Sequence, residues 1–488
     1  MKRIFSSPVT ALLVGWCLRL VFVLKFPATS GDTVLYEQMA TNWVQHHAYA
    51  MNIDGGVVPV DLRMPGYPAF LALIYLMSGK VGAEAHLLVM LVQVVIDLAS
   101  CLVIARLGVA LAVVGEVRVS IKRVLSAGVW LAALCPFVGN YSATLLTEVI
   151  AVFWTAVALF FLVMVASPWD SSGFTIAKEK WDWKLGYRAA AMLAGLAVGV
   201  GTLFRPETPL LLIAAWLAYA VMWWPAGKRA EWLRVVILSG FTCVLPLLPW
   251  AARNVITLHE VQFLAPRNSN LPGELVPYGF MAWEKTWLFL VSDCYLVSWK
   301  LNDDVIDINA IPERAFDSPE EKARVADILE QYNNDLTLTQ EEDAAFAQLA
   351  RERTARHPLR RYLLLPAARA STLWFTPRIE LLPVSGTVFP VRQSWRDDKV
   401  DQSVTVAMVF VNLFYVGLGI WGAVWLWRGN LAARTAVLVL MAFVVVRTVF
   451  FTTVETPEPR YVLECLPVVI ALGAVAISGR RSDGRRGG

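Results

Sequence analysis

Asp32 stands in Ser30-Gly31-Asp32-Thr33, where a long apolar run gives way to a polar loop. The same loop closes with Arg63-Met64-Pro65-Gly66-Tyr67-Pro68. An acid and a cation on one loop at the edge of an apolar segment are suited to chemistry at a water–lipid boundary. Asp favours helix N-caps, so Asp32 fits a cap. It fits equally a general base that takes a proton from a substrate group. Arg63 fits a contact to lipid headgroups, or a planar fork closed on a phosphate. The residues alone leave both pairs of readings open.

Other charged residues fall beside apolar runs in the same way. Glu148 opens one run in Leu146-Thr147-Glu148, where an acid suits the start of a helix dipole. Arg205 and Glu207 flank a proline in Phe204-Arg205-Pro206-Glu207. Arg253 follows Pro249-Trp250, and Glu455, Glu458, Arg460 and Tyr461 precede the last apolar run. Glu37 lies about one turn past Asp32 and reads as part of a solvated polar face. His46 and His47 read as interfacial loop residues, because no His-x-x-x-His or nearby Cys supplies metal-ligand spacing.

The elements that hold these residues follow from composition. The chain has 488 residues, of which 57% are hydrophobic and only 17% charged. Mean hydropathy is +0.54. Soluble domains carry about 45–50% apolar and about 25% charged residues. Several apolar runs approach the ~20 residues that cross a ~30 Å hydrocarbon core. Twenty tryptophans suit two interfaces. The expected fold is therefore all-α, a polytopic transmembrane helical bundle of about 10–11 spans with interfacial helices and a small outer helical segment. Ten spans are expected near 9–28, 84–114, 124–139, 147–167, 189–204, 209–225, 235–251, 404–427, 432–451 and 460–478. The apolar stretch 67–77 is too short to cross and reads as re-entrant or interfacial. The run ending at Phe26 reads as an uncleaved span rather than a signal peptide, because Arg19 and Lys25 interrupt it and no cleavage site is clear. Five of the six cysteines lie in apolar runs, Cys294 being the exception, and all six read as packing residues.

Charge sets the expected orientation. With the N-terminus inside, the cytoplasmic segments Met1–Arg3, Arg118–Arg123, Trp169–Arg188, Gly227–Arg234, Arg428–Arg434 and Arg480–Arg486 all carry Lys or Arg. The loop 29–83, the long polar segment 252–403 and the turns near Asn140, Glu207 and 452–459 then face outside, in a periplasm or equivalent lumen. This divides the chain into an N-terminal membrane module, 1–251, the outer segment 252–403, and a C-terminal pair of spans with a basic tail, 404–488. Within the outer segment, Ser318-Pro319-Glu320-Glu321 and Thr339-Gln340-Glu341-Glu342 are capping boxes that open two short soluble helices. On this topology Glu148, Arg205, Glu207, Arg253 and Arg460 reach the level of Asp32. Arginines on outer ends run against the positive-inside rule and invite an anionic ligand. Charges deep in the spans are few: Arg19, Asp97, Arg106 and Arg447. A transporter or flippase of lipid-linked sugars, the alternative reading, would be expected to place ionisable groups near the midplane. Nothing in the charge pattern points to nucleic acid.

Taken in order, the motifs resemble the GT-C superfamily of polytopic membrane glycosyltransferases. The similarity is to bacterial protein O-mannosyltransferases and lipid A aminoarabinose transferases (glycosyltransferase family 39/83-like). It rests on Gly31-Asp32 with Tyr36 and Ala40; Arg63-x-Pro65-Gly66-Tyr67-Pro68; Leu146-Thr147-Glu148; Phe204-Arg205-Pro206; Pro249-Trp250-x-x-Arg253-Asn254; and Pro459-Arg460-Tyr461 with Pro467. The resemblance implies that Asp32 is the catalytic base or an essential site acid. It implies a polyprenyl-phosphate-linked sugar donor and a lipid, glycan or protein acceptor. Arg63, Tyr67, Glu148, Arg205, Glu207, Arg253, Arg460 and Tyr461 become the candidate donor-phosphate and substrate-binding residues. The location implied is a bacterial inner membrane, with the active site facing the periplasm. Metal use varies in the superfamily, and no cluster here assigns a divalent ion. The chain departs from the pattern in two places. Thr33 follows Asp32 where many relatives have a second acid. Leu62-Arg63-Met64-Pro65 stands where aminoarabinose enzymes carry Glu-Lys-Pro-Pro-like residues, which weighs against lipid A as acceptor.

Overall fold

A computed structural model describes residues 7–117, 119–167, 185–266, 268, 274–386, 388 and 391–479. Met1–Arg3, most of Trp169–Arg188 and the Arg480–Arg486 tail, three of the segments expected to be cytoplasmic, lie outside the described residues. The chain forms two compact units. One comprises Met1–Pro266, Pro377–Val444 and Leu463–Gly488; the other comprises Arg267–Thr376 and Val445–Val462.

Membrane helices dominate the larger unit. Among the described residues of the whole chain, seven helices are long and apolar enough to cross a bilayer: Pro8–Lys25, Gly82–Val114, Glu148–Val165, Arg229–Leu258, Lys399–Trp427, Leu431–Thr452 and Pro459–Ser478. An eighth candidate is the pair Ile121–Leu134 and Pro136–Ala143, bent by 49°. The bend falls at Cys135, whose ψ of 111° is the extended conformation forced on a residue before proline. The protein is thus a multi-pass, all-α membrane protein. Each of the ten expected spans is helical. Two are shorter than expected: Tyr187–Thr202 has 16 residues and Leu210–Trp223 has 14. At 1.5 Å per residue they reach about 24 and 21 Å, short of the ~30 Å core. Gly66–Ser78, with 13 residues, is the short apolar helix expected after the first loop.

Two devices fix this unit. The first is small-residue packing. Gly195 and Gly199, four apart on Tyr187–Thr202, lie against Arg229–Val244 so closely that an added Cβ would come 2.1 Å from the Ser239 carbonyl and 2.2 Å from that of Cys243. The second is a buried ion pair. On α1, Pro8–Lys25, the Arg19 Nε donates at 2.6 Å to Asp97 of α4, His86–Val114. The other Arg19 nitrogens turn to the carbonyls of Gly15, Ala132 and Ala133. Two of the four charges expected deep in the spans therefore satisfy one another. The nearly wholly buried helix Leu466–Ser478 packs on α4, Ile121–Leu134 and Lys399–Trp427.

The first polar loop carries more structure than its sequence suggested. Helix α2 spans Gly31–His46, and an antiparallel hairpin pairs β1, Ala50–Ile53, with β2, Gly56–Pro59. Its turn is Asp54-Gly55, with φ of 49° and 80°, the left-handed pair that two-residue hairpin loops need. Helix α3, Gly66–Ser78, follows.

The smaller unit contains the two capping-box helices as expected. Ser318 accepts from the Glu321 amide at the head of Pro319–Asp335. Thr339 and Glu342 exchange bonds at the head of Gln340–Arg356. Trp283, Trp287, Leu329, Tyr332 and Phe346 form its core. Cys294 is buried in that core, which accounts for a cysteine in a polar stretch of sequence.

Candidate active site

Ser30, not Asp32, precedes the first turn of α2. The Ser30 amide donates to Thr33 Oγ1 at 3.1 Å, and the Thr33 hydroxyl donates to the Leu145 carbonyl at 3.1 Å. Asp32 lies in the first turn, and its Oδ1 accepts from Arg63 Nη2 at 2.7 Å. Both side chains are 24% exposed. Burial works to lower the Arg63 pKa, but Asp32 and then Tyr36 outweigh it, and the net direction is up.

A second charged group involves Glu148, Arg205 and Glu207 of the expected residues. Arg205 Nη2 donates to Glu148 Oε1 at 2.6 Å. Glu207 lies 3.7 Å and Glu464 3.8 Å from other nitrogens of the same guanidinium. Glu464 also accepts from Thr155 Oγ1 at 3.1 Å. The sequence reading missed Glu464. The available signal was an acid inside the apolar string Val462-Leu463-Glu464-Cys465-Leu466.

Tyr36 connects the two groups. It is buried, and its pKa is pushed up to about 12, first by burial and next by the Asp32 charge. Arg63 and Arg205 pull it down and Glu148 pushes it up, so its hydroxyl lies in the field of both pairs. Tyr67 meets the Tyr36 ring edge-on at 5.0 Å, and its hydroxyl donates to Gln93 at 2.8 Å. Backbone contact joins the loops themselves. The Gly66 amide donates to the Leu203 carbonyl at 2.7 Å, and a Cβ on Gly66 would come 2.5 Å from that oxygen. Only glycine brings the Arg63 turn this close to the Arg205 turn.

Arg253 serves the hairpin. Its nitrogens donate to the carbonyls of Val60 at 2.9 Å and Tyr49 at 2.7 Å, and its guanidinium lies over the rings of Tyr49 and Trp250. The Tyr49 hydroxyl donates to the Arg63 carbonyl at 2.8 Å, so the Arg253 brace reaches the backbone behind Arg63. These residues border a cavity of about 470 Å³ whose wall includes Trp43, Tyr49, Pro65, Gly66, Trp250 and Arg253. That volume suits a small-molecule or lipid-segment site, apolar with few polar groups. The buried Trp250 indole nitrogen on this wall has no hydrogen-bond partner among the described residues.

Two corrections concern the neighbours of Asp32. Glu37 is not a solvated surface acid: it pairs with His86 Nε2 at 2.7 Å and accepts from the Tyr75 hydroxyl at 3.2 Å. The helix-cap reading of Asp32 gives way to Ser30 and Thr33. His47 borders the cavity, in a left-handed conformation with φ of 53°. Arg460 and Tyr461 belong to the smaller unit, where both bond Glu458, at 2.7 Å each. There Tyr461 also stacks on Phe451 with ring centroids 4.5 Å apart. Among the described residues, no three His, Cys, Asp or Glu side chains converge to hold a metal ion.

Fold and site together define a multi-pass helical membrane protein with two arginine–carboxylate groups and, walled by the Pro65-Gly66 turn, Leu203 and Arg253, an apolar cavity. No family model and no curated protein matches the sequence. Among solved structures, the chain is similar to the Archaeoglobus fulgidus oligosaccharyltransferase in complex with Zn and sulfate. Identity is 14% and the TM-score 0.49, over 96% of this chain and 48% of that one. It is also similar to ArnT from Cupriavidus metallidurans bound to undecaprenyl phosphate, at 13% identity and a TM-score of 0.40, over 96% of this chain and 77% of that one. The chain spans about half the length of the archaeal enzyme.

Proposed function

We propose that this protein is a GT-C-type membrane glycosyltransferase. It takes a sugar from a polyprenyl-phosphate donor and passes it to an acceptor hydroxyl or amine, at the outer face of a bacterial cytoplasmic membrane. The observation that carries the reading is the pairing of Asp32 with Arg63, with a second arginine–carboxylate group at Arg205 on the turn that Gly66 contacts. The ordered motifs of the sequence support it.

The chemistry follows from that pairing. Asp32 accepts the proton of the acceptor O–H or N–H. The acceptor atom then bonds the anomeric carbon, the bond from that carbon to the phosphate oxygen breaks, and polyprenyl phosphate leaves with an added negative charge. Protonation neutralises Asp32, which releases the Arg63 charge just as the phosphate needs a partner. A guanidinium fork suits that role by charge and geometry. Arg205, held by Glu148, is the second cation of the site. The cavity between Trp43, Pro65 and Trp250 takes the first part of the lipid chain, with the unpartnered Trp250 N–H available to an oxygen of the donor. Acceptor candidates are a lipid, a glycan or a protein.

The test is transfer from radiolabelled polyprenyl-phosphate sugars in reconstituted membranes. Asp32→Asn is expected to lower turnover by about 10²–10⁴, the usual contribution of a general base. Equal rates for variant and wild type would remove Asp32 from the mechanism. Movement of labelled lipid across the membrane with no new glycosidic bond would favour the flippase reading instead. A cysteine at position 32 is expected to react with an impermeant thiol reagent only from the outer side.

A further inference from the structure

A second cavity of the larger unit, about 190 Å³ in volume, lies at the end of Glu148–Val165 remote from the Glu148–Arg205 pair. The helix has 18 residues, so about 27 Å separates its two ends. Ser167, just past the helix, lines this cavity together with Lys228, Asn430, Leu431 and Ala432. Among the described residues, no acidic side chain lines it. At about 30 Å³ per water it has room for several waters or for one tetrahedral phosphate.

The polar groups around it are donors. Helix Leu431–Thr452 begins here, and Asn430 Oδ1 accepts from the Ala433 amide at 2.8 Å. The amides of Leu431 and Ala432 have no acceptor among the described residues. Open first-turn amides at a positive helix end attract anions. A helix end facing water would offer as much, but Ser167 adds a second feature. It is only 7% exposed, and its hydroxyl has no hydrogen-bond partner among the described residues. Buried hydroxyls are normally bonded, so an orphan on a cavity wall points to a guest. Lys228 supplies a cation. It also directly precedes Arg229–Val244, which brings a second positive helix end to the cavity. The carbonyl end of Glu148–Val165 opposes them in part, yet its Val163 and Met164 carbonyls already accept from the Ala166 and Ser167 amides.

Position gives the class of anion. Glu148–Val165 ends and Leu431–Thr452 begins here, and both are apolar enough to cross a bilayer. The cavity therefore lies at the polar edge of the membrane. Trp224 and Trp427, close in sequence to its lining residues, are about half exposed, as tryptophans at that level are. Phosphate is the anion concentrated there, and amide, hydroxyl and ammonium donors suit its oxygens. We propose that this cavity binds one phosphate group, held by the Leu431 and Ala432 amides, the Ser167 hydroxyl and Lys228. The group belongs to a phospholipid headgroup or to a free phosphate. Its test requires no transfer reaction.

The experiment uses the full chain, delipidated in neutral detergent, as wild type, Ser167→Ala and Lys228→Gln. Native mass spectrometry with added phosphatidylglycerol reads the headgroup arm. Thermal unfolding with added inorganic phosphate, against sodium chloride at equal ionic strength, reads the free arm. In the wild type we expect one saturable ligand per chain. Its Kd should rise about tenfold or more in each variant, the usual loss with one hydrogen bond to a charged group. Saturable binding of phosphatidylglycerol alone supports the site with a headgroup as ligand, and saturable binding of inorganic phosphate supports it with a free phosphate. No saturable binding in either arm overturns the proposal, and so does a Kd unchanged in both variants. Ser167→Ala, which removes a single oxygen, keeps the test readable if Lys228→Gln does not fold.

Discussion

Because Ser30 and Thr33 satisfy the head of α2, the Asp32 carboxylate is left to meet Arg63. The cap position goes to Ser30, and only the three-dimensional loop could show the partner Asp32 takes instead: Arg63 is 31 positions away. The same holds for Arg205. Its sequence position marked it as a cation at a helix end, but Glu464, from a distant part of the chain, shares its guanidinium with Glu148. Distance ranks the two acids. Glu148 at 2.6 Å directs Arg205 by a charge-assisted hydrogen bond, whereas Glu464 at 3.8 Å acts mainly through its charge. In the transfer assay, Glu148→Gln is therefore expected to lower kcat/KM by about tenfold or more, and Glu464→Gln by only a few-fold, since a lost charged hydrogen bond is worth about 1.5–3 kcal/mol. The reverse ranking would mean that Arg205 is oriented from the Glu464 side.

Elements of this chain were legible where a local rule is strong. Both capping boxes start helices where their spacing said they would, because the cap is made within four residues. The Asp54-Gly55 turn carried an equally local signal, but Pro59 and the glycines around it masked the two short strands. Close packing between elements was not legible. Gly66 looked like part of a turn motif; in the structure it is the contact between two loops. Gly66→Ala is expected to force the Leu203 carbonyl away and to break the bond at 2.7 Å, destabilising the fold by about 1–3 kcal/mol, as overpacking does. It should also separate the Arg63 and Arg205 turns, so transfer should fall by more than stability alone explains. Thermal unfolding in detergent, run beside the transfer assay, checks both effects. An unchanged melting point would mean that the turns can separate at no cost.

For the molecule as a whole, composition was enough to show a multi-pass helical protein, because lipid demands long apolar segments whatever their order. Two of those segments are shorter than their apolar runs suggested, since Tyr187–Thr202 and Leu210–Trp223 stop at the Leu203–Pro209 turn that presents Arg205. The smaller unit also contains a titration that no sequence reading anticipated. Glu284 is buried, and its pKa is pushed up to about 8, chiefly by burial, although the Ser298 hydroxyl donates to it. The sign follows from linkage. Below the ordinary glutamate value near 4.3 both folded and unfolded chains hold the proton. Between there and about 8 the folded unit keeps a proton that the unfolded chain has lost, so stability falls as pH rises through that window. Protease resistance of the 267–376 region should therefore decline from pH 5 to 8.5, and Glu284→Gln should flatten the decline. An identical slope in the variant would assign it to another group.

The buried Arg19–Asp97 pair also bears on how the protein enters the membrane. An arginine or aspartate at the centre of a lone inserted helix costs about 2.5–3.5 kcal/mol. In the finished fold each is relieved by the other, and Arg19 also draws on carbonyls at Ala132 and Ala133. During synthesis, however, α1 emerges before α4, and the 132–133 carbonyls come later still. Helix α1 is thus a reluctant solute in lipid until residues 86–134 have been made. Its release from the translocon is expected to be slower than that of an Arg19→Leu variant, which site-specific crosslinking of arrested chains would read.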